Sequence, residues 1–177
     1  MSQASPATDR LTLHRIAKLR YANLTEFAAH GYGAARYGAR WNSPDDGLRF
    51  DRRIIYAADT LAQAMLEVIV HVDSDVLHSV AHGHVRFSVA EAFIAQLEIA
   101  QLPPSWDAHP ARAATQVIGD QWFDEAVSPV LRIPSVILPL SVYGKGQSNY
   151  LINTLHPDAH RAVELIGCDA LPFDPRL

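Results

Sequence analysis

The sequence has few cysteines, few lysines and no long apolar run. Cys168 is the only cysteine, so no internal disulfide can form and no thiolate zinc cage can be built from this chain, which fits a reducing cytoplasm. No apolar stretch approaches the ~20 residues that cross a bilayer. The opening MSQASPATDR lacks the apolar core of a secretory signal, so secretion by that route is not expected. Several signatures are also missing. There is no G-x-S-x-G around a serine, no HExxH, no Walker A and no complete dinucleotide-binding glycine fingerprint. The pieces Gly31-Tyr-Gly33 and Gly144-Lys-Gly146 are too short to stand for either of the last two. Neither His82 with His84 nor His156 with His160 has the cysteine partners or the frame of a metal site, and no metal is expected.

The 177 residues suit one domain, and 49% apolar with 19% charged residues is globular composition. The net charge of −4 is unevenly spread. Residues 1–53 hold nine Lys/Arg against five acids, while the remainder holds six against fourteen. Thirteen of the fifteen cations are arginine, whose planar fork suits phosphate and carboxylate. An anionic ligand held by the first third and a solvated basic surface both fit this pattern. Overall acidity disfavours nucleic-acid binding by the chain alone.

No repeat, low-complexity tract or linker divides the chain. Leu11–Ile16 alternates and is predicted as a strand. Residues 31–49, rich in glycine, are predicted as a long irregular ligand loop, with Arg36, Tyr37, Arg40 and Trp41 as cationic and aromatic anchors at a pocket mouth. Arg52 is expected to be a solvated charge beside the buried strand Arg53–Ala58. Thr60 and Gln63 form a capping-box pattern ahead of a helix, on which Gln63, Glu67 and His71 make a polar stripe. Further strands are predicted at 85–89, 95–100, 135–139, 149–152 and 160–166, with a helix over 112–127 that turns Trp122 and Phe123 to the core. Strands and helices do not alternate regularly, so the expected class is α+β: a single domain with a mixed or antiparallel β core and flanking helices.

Five polar residues stand in apolar or glycine-rich settings. These are Arg15 in a strand, Arg40 beside Trp41 and Asn42, Tyr56 in a strand, Glu67 in a helix and Ser135 opening a strand. Singly each fits an ordinary surface or core-edge position. Together they have the chemistry to hold a dinucleotide: guanidiniums for a pyrophosphate, an aromatic face for a flat base, and a carboxylate for a ribose or a developing cation. Cys168, between Gly167 and Asp169, is expected to be structural.

Gly38-Ala-Arg-Trp-Asn42, Ile55-Tyr-Ala-Ala58, Leu61-Ala-Gln-Ala-Met-Leu-Glu-Val-Ile-Val-His71, Arg132-Ile-Pro-Ser-Val136 and Asn149-Tyr-Leu-Ile-Asn-Thr-Leu-His-Pro157 resemble, in order and spacing, the blocks of the RES domain family. The resemblance covers about residues 11–160 as the domain core, with a flexible N-terminus over 1–9. Two small departures are Ala39, where the family often has Gly, and Asn153-Thr154, where it often has Asn-Pro. The resemblance implies a bacterial toxin of a RES–Xre toxin–antitoxin pair with a fold similar to ADP-ribosyltransferase toxins of the diphtheria kind.

Carried over by position, Arg40, Glu67 and Ser135 are the residues that name the family, and Arg15 and Tyr56 match further site positions. The implied activity is cleavage of the nicotinamide–ribose bond of NAD⁺, depleting the cellular pool, with NAD⁺ as substrate, inorganic phosphate as a possible co-substrate and no prosthetic group. In that scheme Glu67, Arg40, Tyr56 and Ser135 are catalytic, and Arg15, Arg40, Tyr56 and Ser135 bind the dinucleotide. Tyr56 would stack on nicotinamide, and Ser135 would donate a hydrogen bond rather than attack, since no base partner is evident. The implied partner is an Xre-like helix-turn-helix antitoxin covering the pocket mouth in a larger hetero-oligomer. Transfer of ADP-ribose to a protein target and a non-enzymatic DNA- or antitoxin-interaction module are the alternatives.

Overall fold

A computed structural model describes residues 9–45, 47, 51–111 and 113–177. The expected flexible N-terminus therefore falls, apart from Asp9, outside the described residues. Seven strands form one mixed sheet: β1 (Arg10–Lys18), β2 (Ile54–Ala58), β3 (His82–Ala90), β4 (Ile94–Gln96), β5 (Val130–Ile133), β6 (Asn149–Asn153) and β7 (Val163–Leu171), in the spatial order β4-β5-β6-β2-β1-β3-β7. The β4–β5 pair is parallel and the remaining neighbours are antiparallel. Among the described residues six α-helices flank it: α1 (Leu19–Ala22), α2 (Tyr32–Tyr37), α3 (Leu61–Ile69), α4 (Ser74–Ser79), α5 (Ala113–Asp124) and α6 (Ala159–Ala162). The α+β class with a mixed sheet is as expected.

The alternation of β1 sets its register. Leu13 lies beside Phe87, and Arg15 beside Val85, in a β1–β3 ladder that runs from Arg10↔Ala90 to Lys18↔His82. Leu13, Val85, Phe87 and Val89 are fully buried in one apolar cluster with Ile55, Tyr150 and Ile152. A second cluster joins Trp41, Ile54, Leu131, Ile133, Leu151 and Trp122 of α5. A third seats α3 through Ala64, with Leu61, Met65 and Val68, on Ile16 and Ala58. In contrast to its long ladder with β3, β1 meets β2 at one register pair, His14↔Ala58. The sheet is nearly parted at that seam.

Several expectations are corrected. The 31–49 segment contains the helix α2, because its glycines do close packing and capping rather than loop work. A Cβ on Gly31 would come within 2.5 Å of the Arg53 carbonyl carbon, and Gly38 ends α2 with φ +68° while its N–H caps Ala34 O. Positions 46, 48 and 49 of that segment lie outside the described residues. The strand expected at 135–139 is Val130–Ile133 instead, since Pro134 has no N–H to continue a ladder. Ser135 then turns the chain, accepting Ile137 N–H on its hydroxyl at 3.1 Å. The 95–100 strand is only Ile94–Gln96, cut by a 3₁₀ turn at Ile99–Gln101 that carries a capping box. The strand expected from His160 begins at Val163, after α6.

Arg52 is not a solvated charge. It is 8% exposed, donates in bidentate fashion to Asp124 through Nε (2.8 Å) and Nη2 (2.5 Å), and lies 3.3 Å from Asp120. The two acids that balance it are 68 and 72 positions further along the chain, on α5. Trp41 is likewise core, at 2% exposure.

Gly119 of α5 is where the helix meets the Trp41 segment. A Cβ there would sit 1.7 Å from the Trp41 carbonyl oxygen, so α5 cannot keep this approach with any side chain. Gly119→Ala is expected to destabilise the fold by ~3 kcal/mol, at the upper end of overpacking costs. A thermal melt checks it, with a fall in Tm of roughly 10 °C expected for a chain of this size.

Candidate active site

A cleft of about 600 Å³ opens where β1 and β2 part, and Arg15, Arg40, Tyr56 and Glu67 all line it. Ser135 is behind its wall, 3% exposed between the lining residues Pro134 and Val136, and joins the site through Glu67. The five residues singled out from the sequence thus come together from β1, the α2–β2 segment, β2, α3 and the turn after β5.

Glu67 lies on α3, whose start is fixed by the Thr60 hydroxyl accepting the Gln63 N–H at 3.1 Å. The other half of the expected capping box is absent: the Gln63 side chain instead donates through Nε2 to Asn149 Oδ1 at 2.8 Å. Glu67 Oε1 accepts two hydrogen bonds, from Ser135 Oγ at 2.7 Å and Asn149 Nδ2 at 2.6 Å. Among the described residues Oε2 has no hydrogen-bond partner. The half-buried carboxylate therefore has one oxygen fixed and one free to meet a ligand. A base partner for Ser135 is thus present after all, correcting the reason for setting aside a nucleophilic serine. Ser135 remains unsuited to attack on other grounds: its oxygen is buried and already accepts the Ile137 N–H.

Arg15 Nη1 donates to the Tyr56 carbonyl at 3.1 Å, across the parted seam. Its Nε is buried without a partner, and burial pushes the guanidinium down to about 10, still charged at neutral pH. Arg40 Nη1 donates to the carbonyls of Trp106 (2.8 Å) and Ala108 (3.0 Å). It thereby fastens a strap whose next residues, His109, Pro110 and Ala111, line the cleft. Burial lowers the Arg40 pKa, and the nearby charge of Glu67 opposes that shift. The Tyr56 hydroxyl donates to Asn42 Oδ1 at 2.7 Å and accepts the Trp41 N–H at 3.2 Å. Burial drives its pKa upward, so it stays a neutral phenol.

Sequence reasoning missed Asn149, the strap and His14. Asn149 lies inside a quoted block, but its role depends on a partner 82 positions away. His14 lines the cleft and shares a 2.8 Å hydrogen bond between its Nδ1 and His84 Nε2. Burial lowers the pKa of both rings, and each ring is further lowered by neighbouring cationic groups, Arg86 among them. Tyr37, 77% exposed, stands at the cleft mouth as expected.

The RES domain family matches residues 12–174. The chain is 31% identical over 168 residues to "Toxin Res" of Yersinia enterocolitica, covering 94% of this chain and 99% of that one. It is 35% identical over 150 residues to "Prs ADP-ribosylating toxin" of a Sphingobium species, covering 83% and 84%. Its fold is similar to a chain in the crystal structure of the M. tuberculosis MbcT-MbcA toxin-antitoxin complex, with TM-score 0.67 at 18% identity, covering 93% of this chain and 86% of that one.

Two outcomes are expected from the geometry. Because Arg40 holds the strap by two charge-assisted bonds, Arg40→Ala should speed amide exchange at residues 105–111 at least ~10-fold, with little change elsewhere. Unaltered exchange there would remove the fastening role. The His14–His84 pair binds fewer protons folded than unfolded, so its stabilisation is full above ~6.5, the free histidine value, and is lost as pH falls below it. Tm should therefore decline between pH 7 and pH 5, and less steeply in His84→Phe.

Proposed function

The chain belongs to the RES domain family, and from that premise we propose that it is the toxin of a toxin–antitoxin pair and that its cleft binds NAD⁺ and breaks the nicotinamide–ribose bond. The observation that carries this reading is the Glu67 carboxylate, with one oxygen held by Ser135 and Asn149 and the other left to the cleft, facing a site that also contains the guanidiniums of Arg15 and Arg40.

In the reaction the bond between ribose C1′ and the nicotinamide nitrogen breaks. Its electron pair returns to the ring, which leaves as a neutral molecule and needs no strong acid. Positive charge builds on the ribose, as in glycoside cleavage, and the free oxygen of Glu67 is suited to stabilise it. Arg15, with Nη2 not engaged by the Tyr56 carbonyl, and Arg40, with Nε and Nη2 not used by the strap, supply donors for the pyrophosphate. Tyr56, its hydroxyl engaged by Asn42 and Trp41, offers a ring face to nicotinamide. Ser135 acts by orienting Glu67.

The acceptor at C1′ is water, inorganic phosphate or a protein side chain. The name of the Sphingobium relative, an ADP-ribosylating toxin, favours keeping transfer to a protein as a second reading. The partner proposed is an antitoxin of Xre-like type seated over the cleft mouth at Tyr37 and the neighbouring exposed Arg36, as exposed aromatic and arginine side chains favour; the similar fold found in a toxin-antitoxin complex supports an antitoxin partner.

The test is incubation of purified protein with NAD⁺, with and without phosphate, and identification of the products. Nicotinamide release is expected. Glu67→Gln should fold with an unchanged Tm and lose turnover by about 10²–10³, the cost of removing one well-placed electrostatic stabiliser. Near-normal turnover by the folded variant would end this mechanism.

A further inference from the structure

Glu67 is held by a chain of amides that has only one possible direction. A carboxylate oxygen carries lone pairs and no hydrogen, so Asn149 must turn its Nδ2 toward Glu67 Oε1, as it does at 2.6 Å. That commits Asn149 Oδ1 to the opposite side, where it can only accept. Gln63 meets it there with Nε2 at 2.8 Å. Gln63 is then left with Oε1 as its remaining acceptor, and this atom is buried with no partner. The residue is 2% exposed and lies behind the cleft wall, whereas Asn149 and Glu67 line the cleft.

An orphaned acceptor in the interior costs about 1–3 kcal/mol, and an apolar side chain of the same length would avoid it. The amide is therefore not accounted for by packing. The carboxylate itself excludes the flipped Asn149, in which Oδ1 would confront it; what the Gln63 amide does is meet the committed Oδ1 with a donor and so hold the position and plane of the Asn149 amide.

We propose that Gln63 and Asn149 are positioning residues for Glu67, a one-way amide relay that holds one carboxylate oxygen and so presents the other to the ligand. Ser135 does the same from the other side. The Ile137 N–H occupies its oxygen, which leaves its hydroxyl hydrogen directed at Glu67. The relay links the first turn of α3 to the start of β6, so the carboxylate is fixed relative to the wall that these two elements build. As a claim about turnover, this inference rests on the NAD⁺ reading; as a claim about Asn149, it does not.

Gln63→Met tests it, since methionine has similar length and no polar atom. Tm is expected to stay level, because the orphaned Gln63 Oε1 is gone while Asn149 Oδ1, which lies at the cleft, loses its donor. The kcat for NAD⁺ cleavage is expected to fall roughly tenfold with KM within about twofold, on the scale seen when a partner that orients a reacting ligand is removed. A purely structural strut predicts the reverse: a lower Tm and an unchanged kcat per folded molecule, and that result overturns the proposal.

A second readout needs no substrate. In ¹⁵N-labelled protein the Asn149 side-chain N–H₂ signals should be shifted and slow to exchange, and should revert toward free-amide behaviour in Gln63→Met. Unchanged Asn149 signals overturn the relay whatever happens to NAD⁺. Changed signals in proteins that leave NAD⁺ intact uphold the relay and sink the substrate reading instead. Should Gln63→Met fail to fold, Asn149→Ala takes its place: a fall in kcat beyond tenfold at steady KM supports the relay, and an unchanged kcat overturns it.

Discussion

The site depends on one seam in the sheet. β1 holds β3 along its whole length but touches β2 at a single register pair, His14↔Ala58. Had the ladder continued, Ile16 would oppose Tyr56, and the backbone groups of β2 would be satisfied by β1. Instead the strands part, and the Tyr56 carbonyl accepts from the Arg15 side chain. Buried backbone acceptors must find a donor, and here a guanidinium takes the place of a ladder bond. The same side chain thus closes a gap in the sheet and puts a charge on the floor of the cleft. A continuous ladder would satisfy the backbone better and leave no room for a ligand.

The fold was legible where local rules govern and illegible where distant groups do. The alternation of Leu11–Ile16, the β-branched run into β2 and the Thr60 cap all describe interactions within a few residues, and the structure holds them. Glycine misled because its two uses look alike in sequence. Gly31 and Gly38 resemble loop punctuation, yet one allows close contact with Arg53 and the other caps α2. Pro134, directly ahead of the strand expected at 135–139, is instead the exit from β5. Arg52 looked solvated because its acids lie on a helix encoded far downstream.

The candidate site shows the same division. Glu67 could be singled out as a carboxylate on an otherwise apolar helix stretch, and Arg15 as a charge in a strand. What gives Glu67 its asymmetry is contact with Ser135 and Asn149, 68 and 82 positions away. The capping-box pattern at Thr60 and Gln63 was half true for a physical reason. The backbone N–H of Gln63 still needs the threonine oxygen, but its side chain finds the Asn149 amide at the cleft wall and turns there instead. A local motif was overridden by a tertiary partner, which happens most often where a side chain serves a site.

Arg40 joins the two halves of the cleft. A guanidinium has five donors in a rigid fork, and Nη1 spends both of its hydrogens on the strap carbonyls of Trp106 and Ala108. Three donors remain, on Nε and Nη2, on the flat edge that suits a bidentate anion. Lysine has the charge but a single nitrogen, so it could not brace the strap and offer a planar pair at once. The strap in turn carries His109 and Pro110 to the cleft lining. The position of one wall therefore follows from the residue that offers its free edge to an anion, while Glu67, tied to α3 and β6, holds the other wall. The width of the cleft between a developing cation and an anionic tail is thus set by two side chains whose remaining donor and acceptor atoms are the ones a ligand would use.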